Sequence, residues 1–246
     1  MVHWHCHPLF HGMPAGCTAG GVAVVIDVLR ASTTIVTAIA HGAAAVVPRA
    51  GLDEARRTAA TLAGPVLLGG ERGGLRIEGF DLGNSPAEYT ARRVAGRTIV
   101  ITTTNGTAAL AACRGAREIL VGAVVNRAAA AAAARRLAGA GGAVHLVCAG
   151  TDGIVSDEDL LGAGAMLDAA ATDADVLDEA ARAALAAFRR VAAGGDVPAG
   201  LVAAFRRAAG GANLVALGME ADLPAAAAID TLAAVPRLDP VTGVLR

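Results

Sequence analysis

The chain has 246 residues, of which 62 are alanine and 31 are glycine, so small side chains dominate. The composition is 54% hydrophobic and 17% charged, which excludes intrinsic disorder, and the length is ample for a core that needs no disulfide or metal staple. The 21 basic residues, all arginine, are balanced by 22 acidic ones and never cluster beyond pairs, which argues against a nucleic-acid partner.

Neither a membrane span nor a signal peptide is visible in the sequence. No apolar stretch reaches the roughly 18 residues that a transmembrane helix needs. The segment from Met1 to Gly12 contains four histidines and no apolar core of the signal-peptide type. The four cysteines lack CxxC spacing, which is typical of reduced thiols. We therefore predict a cytoplasmic protein with no membrane partner.

Short apolar runs alternate with helix-compatible segments between residues 20 and 150, the pattern of repeated βα units and a mainly parallel sheet. The runs predict six buried strands, at Gly21–Asp27, Ala44–Pro48, Val66–Gly69, Thr98–Thr102, Glu118–Val121 and Val144–Ala149. The segments between them predict helices at Ser32–His41, Leu52–Leu62, Pro86–Val94, Thr107–Cys113 and Asn126–Ala138.

The last third of the chain changes to longer helical segments. They predict helices at Ser156–Thr172, Asp175–Ala193 and Pro198–Ala209, with Gly194-Gly195 and Gly210-Gly211 as breaks. These alanine-rich helices are suited either to a homodimer face or to covering the sheet. The tail predicts an edge strand or hairpin around Asp239-Pro240, because proline is tolerated only at edges or bulges.

We expect these elements to form a three-layer α/β/α fold with a mainly parallel sheet and a helix-rich C-terminal third. Residues 1–246 then form one domain, which divides at most into β-α repeats (1–155) and a mostly helical part (156–246).

The first segment that can carry chemistry is VVIDVLRAST, from Val24 to Thr33. A buried strand ends at Asp27, and Ser32 can cap the helix that follows. Ligands of open α/β folds bind at this edge of the sheet, where free helix N–H groups attract anions and Arg30 adds a fork for phosphate or sulfonate. An ordinary strand, turn and helix cap fits the same residues.

A long glycine-rich loop from Gly69 to Pro86 is the second segment. It is rich in polar and charged side chains in a chain otherwise dominated by alanine: Glu71, Arg72, Arg76, Glu78, Asp81, Asn84 and Ser85. Loops of this length without secondary structure are usually functional or disordered. We favour a binding loop, in which arginines hold an oxyanion and carboxylates hold a hard cation, over a solvated surface loop.

Two further segments follow predicted strands. Thr102-Thr-Thr-Asn-Gly-Thr107 offers hydroxyl, amide and backbone donors, either as a neutral oxyanion cradle or as a capped turn. After the strand that ends near Cys148 come four acids, Asp152, Asp157, Glu158 and Asp159, which we place on the same sheet edge as Asp27. Oxygen ligands of this kind suit Mg²⁺, although Ser156 with Asp159 also fits a helix-capping box.

The N-terminal histidines alternate. In a strand, His3, His5 and His7 would share one face, which could form a transition-metal site, but an edge strand with exposed histidines fits better.

Taken together, four segments resemble the 2-phosphosulfolactate phosphatase (ComB) family of coenzyme M biosynthesis: VVIDVLRASTTIVTA, GERGGLRIEGFDLGNSPAEY, GRTIVITTTNGTAAL and CAG…EDLLGAG. They occur in order from about residue 20 to 165, and the tail from Gly218 to Pro236 is similar to the family's C-terminal pattern. The histidine-rich start and the Thr151–Ser156 segment depart from that pattern. The resemblance implies an α/β phosphatase that needs Mg²⁺ and hydrolyses (2R)-O-phospho-3-sulfolactate to 3-sulfolactate and phosphate.

The resemblance also implies site residues. Those expected to be catalytic are Asp27, Glu71, Asp81 and Glu158, and those expected to hold the metal are Asp27, Glu158 and Asp159. Those expected to bind the substrate, a small anionic phosphate ester, are Arg30, Ser32, Arg72, Asn84, Ser85, Thr103, Thr104, Asn105 and Gly106; Arg76 joins them because of the charge of the glycine-rich loop, not from the resemblance. Two alternatives stay open: a phosphatase of another small phosphorylated hydroxy acid, and a non-catalytic anion-binding protein on the same scaffold.

Overall fold

A computed structural model describes all 246 residues of the chain, which form an eleven-stranded sheet and ten α-helices. The strands are β1 (His3–His7), β2 (Val22–Ile26), β3 (Ala45–Pro48), β4 (Val66–Arg72), β5 (Leu75–Arg76), β6 (Thr98–Thr102), β7 (Glu118–Gly122), β8 (Ala143–Cys148), β9 (Val176–Leu177), β10 (Arg237–Asp239) and β11 (Val244–Leu245). The helices are α1 (Ala31–Ala40), α2 (Leu52–Thr61), α3 (Ala91–Val94), α4 (Gly106–Ala112), α5 (Arg127–Ala138), α6 (Asp157–Ala170), α7 (Glu179–Ala192), α8 (Val197–Arg207), α9 (Ala209–Ala216) and α10 (Asp222–Ala226).

The strand order is β5-β4-β6-β3-β11-β10-β7-β2-β8-β1-β9. Strands β4, β6 and β3 form one parallel half, and β7, β2, β8, β1 and β9 form another. The C-terminal hairpin β10-β11 lies between the halves, where β10 pairs antiparallel with β7 and β11 pairs antiparallel with β3. The strands of one half are therefore antiparallel to those of the other half. Sheet twist accumulates from strand to strand and rotates the two halves relative to each other.

Helices cover both faces of this sheet because its central strands are apolar on both sides. All five residues of β2 are buried. Val22 and Val24 belong to a core shared with α5, α6 and α7, while Ala23 and Val25 belong to a second core shared with α1 and α4. The three-layer α/β/α prediction is therefore confirmed.

The C-terminal third is helical, and its helices lie on the sheet. Phe188, Phe205 and Leu214 are buried in the same core as Val24, and α6 packs against β2 and β8. Of the two uses predicted for these helices, the structure shows the covering one. A separate homodimer face stays a prediction.

Three predicted elements of the loop and tail differ from the structure. The loop after Gly69 is not free of secondary structure, because β4 continues to Arg72 and turns into β5. The predicted helix Pro86–Val94 is broken into a 3₁₀ turn at Pro86–Glu88 and the short α3. The tail hairpin lies inside the sheet rather than at its edge, and Pro240 falls in its turn, where no ladder hydrogen bond is lost.

The predicted helix break at Gly210-Gly211 is also wrong. Helix α8 ends at Arg207 and α9 begins at Ala209, so the break lies at Ala208 and both glycines lie within α9. A Cβ at Gly211 would approach the Phe205 carbonyl oxygen to 1.8 Å, so close packing against α8 explains this glycine.

The histidine strand is not at the edge, because β9 pairs outside it for two residues. His3, His5 and His7 do share a face, where His5 stacks on His145 with ring centroids 5.0 Å apart. His7 Nε2 lies 3.1 Å from His145 Nδ1, and His5 Nδ1 lies 3.4 Å from the Asp178 carboxylate. No group of three or more histidine, cysteine, aspartate or glutamate side chains is arranged to hold a metal, here or elsewhere in the chain. No helix is both long and apolar enough to cross a membrane.

Candidate active site

A polar cleft opens where residues that follow the strands of both sheet halves meet. Segments after β2 and β8 form one side, segments after β4 and β6 form the other, and α9 closes the cleft from the C-terminal third. Six predicted site residues line it: Asp27, Arg30, Glu71, Asn84, Thr104 and Asn105.

Asp27 lines this cleft and directly follows β2. Its Oδ1 accepts the Ala31 N–H of α1 at 3.1 Å, and its own N–H donates to the Ser32 hydroxyl at 2.9 Å. Burial raises the pKa of Asp27 to about 6, and the charge of Glu71 adds to that rise. Ser32 therefore supports the backbone of Asp27 and does not line the cleft, and the substrate-binding role that the resemblance implies for it stays a prediction.

The segment after β6 supplies neutral donors to the same cleft. Thr103 Oγ1 accepts the Thr107 N–H at 3.2 Å, so Thr103 caps α4 rather than lining the cleft as predicted. Asn105 lines the cleft. A Cβ at Gly106 would lie 2.7 Å from Asp27 Oδ2, so glycine is required there for the close approach of α4 to Asp27.

Glu71 joins two walls of the cleft. Its Oε1 accepts both the N–H and the hydroxyl of Thr104, at 2.8 and 3.0 Å. Its Oε2 accepts the Gly74 N–H of the β4–β5 turn at 2.8 Å. With both oxygens occupied, Glu71 fixes the turn against the segment after β6, and its catalytic role stays a prediction.

Glu158 on α6 is buried beside Asp27. Burial raises its pKa to about 7, and the negative charge of Asp27 contributes. Its Oε2 has no hydrogen-bond partner although it is fully buried. An unpartnered buried carboxylate oxygen is costly unless a proton or a cation satisfies it, so Glu158 is suited to hold one or the other.

Asp159 differs from its neighbour because both of its oxygens have partners. Oδ1 accepts the Val28 N–H at 2.8 Å and Oδ2 accepts the Gly150 N–H at 2.9 Å. Burial raises the pKa of Asp159, as do the charges of Asp27 and Glu158. These contacts tie the loop after β2 to the loop after β8, and the metal-binding role of Asp159 stays a prediction.

The predicted capping box of α6 is also wrong. No side-chain hydrogen bond caps this helix, and the Ser156 hydroxyl pairs with Thr151 Oγ1 at 2.7 Å instead.

Arg30 is the one positively charged residue that lines the cleft. Its Nη1 donates to the Asp222 carboxylate at 2.7 Å and lies 3.1 Å from the Met219 sulfur, and its Nη2 donates to the Gly74 carbonyl at 2.6 Å. A guanidinium has five N–H donors, so two remain for a ligand. The predicted anion-binding role of Arg30 is therefore retained as a proposal.

Two of the predicted arginines point elsewhere. Arg72 donates to Thr102 Oγ1 at 2.9 Å and to backbone carbonyls, and it does not line the cleft. Arg76 is exposed on β5 and also lies outside the cleft. Strand alternation explains Arg72, because successive strand residues point to opposite faces and its neighbour Glu71 lines the cleft.

Asp81 and Ser85 also lie outside the cleft lining. Asp81 Oδ2 accepts the Leu68 N–H at 2.8 Å and holds the loop against β4. Ser85 donates to Asp222 Oδ1 at 2.6 Å. Its neighbour Asn84 does line the cleft, and Asn84 Oδ1 is buried without a partner.

The sequence did not mark several cleft residues as site residues: Gly73, Gly74, Thr151, Gly210, Asn213 and Leu214. Asp152 was noted among the acids but given no role; it lines the cleft with a φ of 51°, rare for a residue other than glycine. Asn213 is the one side-chain amide between residues 156 and 246, and that isolation is the signal that could have singled it out.

The cleft carries more negative than positive charge. Three carboxylates line it, Asp27, Glu71 and Asp152, against the single guanidinium of Arg30. Mg²⁺ is usually held by one or two carboxylates together with water and substrate phosphate. Asp27 and the unpartnered Oε2 of Glu158 fit that requirement.

The family model for 2-phosphosulpholactate phosphatase matches residues 11–240. This chain belongs to that family. The 2-phosphosulpholactate phosphatase family is one of phosphoric monoester hydrolases, as the resemblance of the four segments implied. The match includes every element that builds the cleft, from β2 to α10.

Individual members of the 2-phosphosulpholactate phosphatase family are similar along most of this chain. A protein of Deinococcus radiodurans, described as a probable 2-phosphosulfolactate phosphatase, is 44% identical over 221 residues, which are 89% of this chain and 88% of the relative. One of Symbiobacterium thermophilum with the same description is 42% identical over 226 residues, 91% of this chain and 93% of the relative.

Proposed function

We propose that this protein hydrolyses (2R)-O-phospho-3-sulfolactate to 3-sulfolactate and phosphate, and that it does so with Mg²⁺ in the cleft around Asp27. The observation that carries the proposal is the juxtaposition of two protonatable carboxylates, Asp27 and Glu158, with the Arg30 guanidinium in a member of this phosphatase family.

Charge supports the need for a cation. The proposed substrate carries phosphate, sulfonate and carboxylate groups, yet the cleft presents more carboxylates than guanidinium groups. Anion binding there requires that carboxylates be protonated or neutralised by a metal. In the proposal Asp27 and Glu158 hold Mg²⁺, which when bound would stabilise charge on the transferring phosphoryl group.

The residues of the chain bind and orient the ester. The two remaining N–H donors of Arg30 bind one anionic group of the substrate. The side-chain amides of Asn84 and Asn105 supply neutral hydrogen bonds from the opposite side of the cleft, where both donors of the adjoining Thr104 are taken by Glu71. These partners are held before substrate arrives, by Glu71 at Thr104 and by Asp222 at Arg30. Such preorganisation is what makes electrostatic stabilisation of a developing charge effective.

Phosphate release tests the proposal. We would compare 2-phosphosulfolactate with phospholactate, which lacks the sulfonate, and with phosphoglycolate and p-nitrophenyl phosphate, each with Mg²⁺ and with EDTA. The proposal expects fastest release from 2-phosphosulfolactate and none in EDTA. Preference for another ester would keep a phosphatase and discard the substrate, and unchanged release in EDTA would discard the metal.

A further inference from the structure

We infer that Asp222 is a positioning residue that sets the anion-binding wall of the cleft from outside it. It orients Arg30 and, through Ser85, the segment that carries Asn84. The inference rests on the proposed function of this cleft and adds a residue that reaches it from the C-terminal helix α10.

Asp222 is buried and uses both carboxylate oxygens. Oδ2 accepts from Arg30 Nη1 at 2.7 Å, and Oδ1 accepts from the Ser85 hydroxyl at 2.6 Å. The side chains of Asp222 and Arg30 are 6% and 3% exposed, so water replaces neither contact. One carboxylate thus holds two segments that are distant in the sequence, the loop after β2 and the loop that precedes α3.

The guanidinium of Arg30 has little freedom left. Met219, which also comes from the C-terminal segment, contacts Nη1 through its sulfur at 3.1 Å. The Gly74 carbonyl accepts from Nη2 at 2.6 Å on the other side. The two donors that remain therefore point in directions that Asp222, Met219 and Gly74 jointly define.

The contact with Ser85 extends this control to a neutral cleft group. Asn84, the preceding residue, lines the cleft and leaves its buried Oδ1 without a partner. The Asn84 carbonyl accepts the Thr34 hydroxyl at 2.8 Å, which holds this segment on α1. Asp222 therefore sets the separation between a guanidinium and an amide that face the same ligand.

A buried ion pair is by itself weak support for stability, because desolvation offsets much of the attraction between the charges. The position of this pair indicates a different use. Asp222 does not line the cleft, whereas both groups that it controls, Arg30 and Asn84, do.

Kinetics of Asp222→Ala and Asp222→Asn test the inference. For Asp222→Ala we expect KM for 2-phosphosulfolactate to rise about 10- to 100-fold, the range seen when a group that orients a ligand-binding residue is removed, with a smaller change in kcat. Asp222→Asn keeps one oxygen for Arg30 and an amide that can donate to Ser85, so it should recover most of the loss.

A double-mutant cycle with Arg30→Ala separates positioning from general destabilisation. If Asp222 acts chiefly through Arg30, adding Asp222→Ala to Arg30→Ala should raise KM much less than Asp222→Ala does alone, because there is no guanidinium left to orient and only the contact with Ser85 is lost. The double variant also avoids a lone buried charge, which favours its folding. Additive effects of the two substitutions on KM would overturn the inference.

Asp175→Asn is the matched control. Asp175 accepts from Arg135 and from the Val2 N–H just before β1, remote from the cleft. Its substitution should lower stability and leave KM unchanged, and a KM rise equal to that of Asp222→Ala would contradict a specific role for Asp222.

The positioning role of Asp222 can be tested even if 2-phosphosulfolactate is not the substrate. If the wild-type protein does not release phosphate from the ester, calorimetry with inorganic phosphate replaces KM. Weaker binding by Asp222→Ala, restored in Asp222→Asn, would still support the positioning role. Equal binding by all three proteins would overturn it.

Discussion

Two buried carboxylates, Asp27 in the cleft lining and Glu158 beside it, oppose folding at high pH, and this can be measured residue by residue. The pKa of Asp27 rises from 3.8 to about 6 and that of Glu158 from 4.5 to about 7. The folded state therefore binds more protons than the unfolded state, so the stability that these groups contribute is present at low pH and lost as pH rises from about 4 to about 7.

We expect Asp27→Asn and Glu158→Gln each to raise stability above neutral pH in EDTA, by an amount on the order of 2 kcal/mol. Both should also abolish phosphate release. Chemical denaturation of metal-free protein checks the first part, and a phosphate assay with Mg²⁺ checks the second. Retained turnover in Asp27→Asn would refute its proposed role.

Asp175 is a control for that experiment, because its substitution should change stability in the opposite direction. Burial alone would raise its pKa, but hydrogen bonds from Arg135 and Thr172 outweigh burial and lower the pKa below its usual range. Its stabilising contribution is present above the unfolded pKa, so Asp175→Asn should lose stability under the same conditions. A gain in stability would show that carboxylate removal stabilises this protein regardless of position.

The histidine pair of β1 and β8 opposes folding at low pH. Burial lowers the pKa of His7, and it lowers that of His145 from 6.5 to about 4. The stability tied to neutral His145 is lost as pH falls through that interval. Compared with the wild type, His145→Asn should therefore show a weaker fall in Tm between about pH 6.5 and pH 4. The exposed His11 serves as control, and an equal change in His11→Asn would contradict the assignment.

At the scale of elements, the approach of α9 to α6 leaves no room for a side chain at Gly210. A Cβ there would lie 2.2 Å from Glu158 Oε1. The φ of Gly210 is not positive, so the constraint is steric and falls on Glu158 alone. Gly210→Ala should therefore displace the carboxylate and reduce kcat/KM by about 10- to 100-fold, since small misplacements of catalytic groups are that costly.

Gly115→Ala is the control for that substitution. No atom lies within 4 Å of a Cβ at Gly115, and its φ is not positive either. It should retain the wild-type kcat/KM. Equal activity in both glycine variants would mean that α9 does not position Glu158.

Element prediction from sequence succeeded where local pattern decides the outcome. The apolar runs located β2, β3, β6, β7 and β8 to within a residue or two, because buried strands need continuous apolar segments. The β4–β5 hairpin was missed, because Glu71 and Arg72 are polar strand residues held by the cleft and by Thr102. A prediction of strands from apolar runs places such polar residues in loops.

At the scale of the whole molecule, the C-terminal hairpin completes the sheet. Strands β10 and β11 separate the two parallel halves, and Leu245 on β11 is fully buried. Leu245→Ala should destabilise the protein by about 2 to 5 kcal/mol, the usual range for a buried leucine. The 93% exposed Val241 lies in the turn between these strands, and Val241→Ala should change stability by less than about 0.5 kcal/mol.

Urea denaturation of both variants checks this account of the sheet. Similar losses of stability in Leu245→Ala and Val241→Ala would show that packing of the hairpin does not stabilise the junction between the two halves of the sheet.

Part of the cleft could be predicted from sequence because some of its residues closely follow strands. Asp27, Thr104 and Asn105 are of this kind, and strand ends are where α/β folds bind ligands. Gly210, Asn213 and Asp222 come from a helical third that returns over the cleft. That return depends on how α8, α9 and α10 pack, which no local spacing encodes.

The most direct test of the account is the initial rate of phosphate release from 2-phosphosulfolactate by wild-type protein and by Asp27→Asn, both with Mg²⁺. We expect sustained release by the wild type and none by the variant, with the variant folded and at least as stable as the wild type. Equal release by the two proteins would place the chemistry elsewhere and contradict the central claim that the Asp27 cleft is the active site.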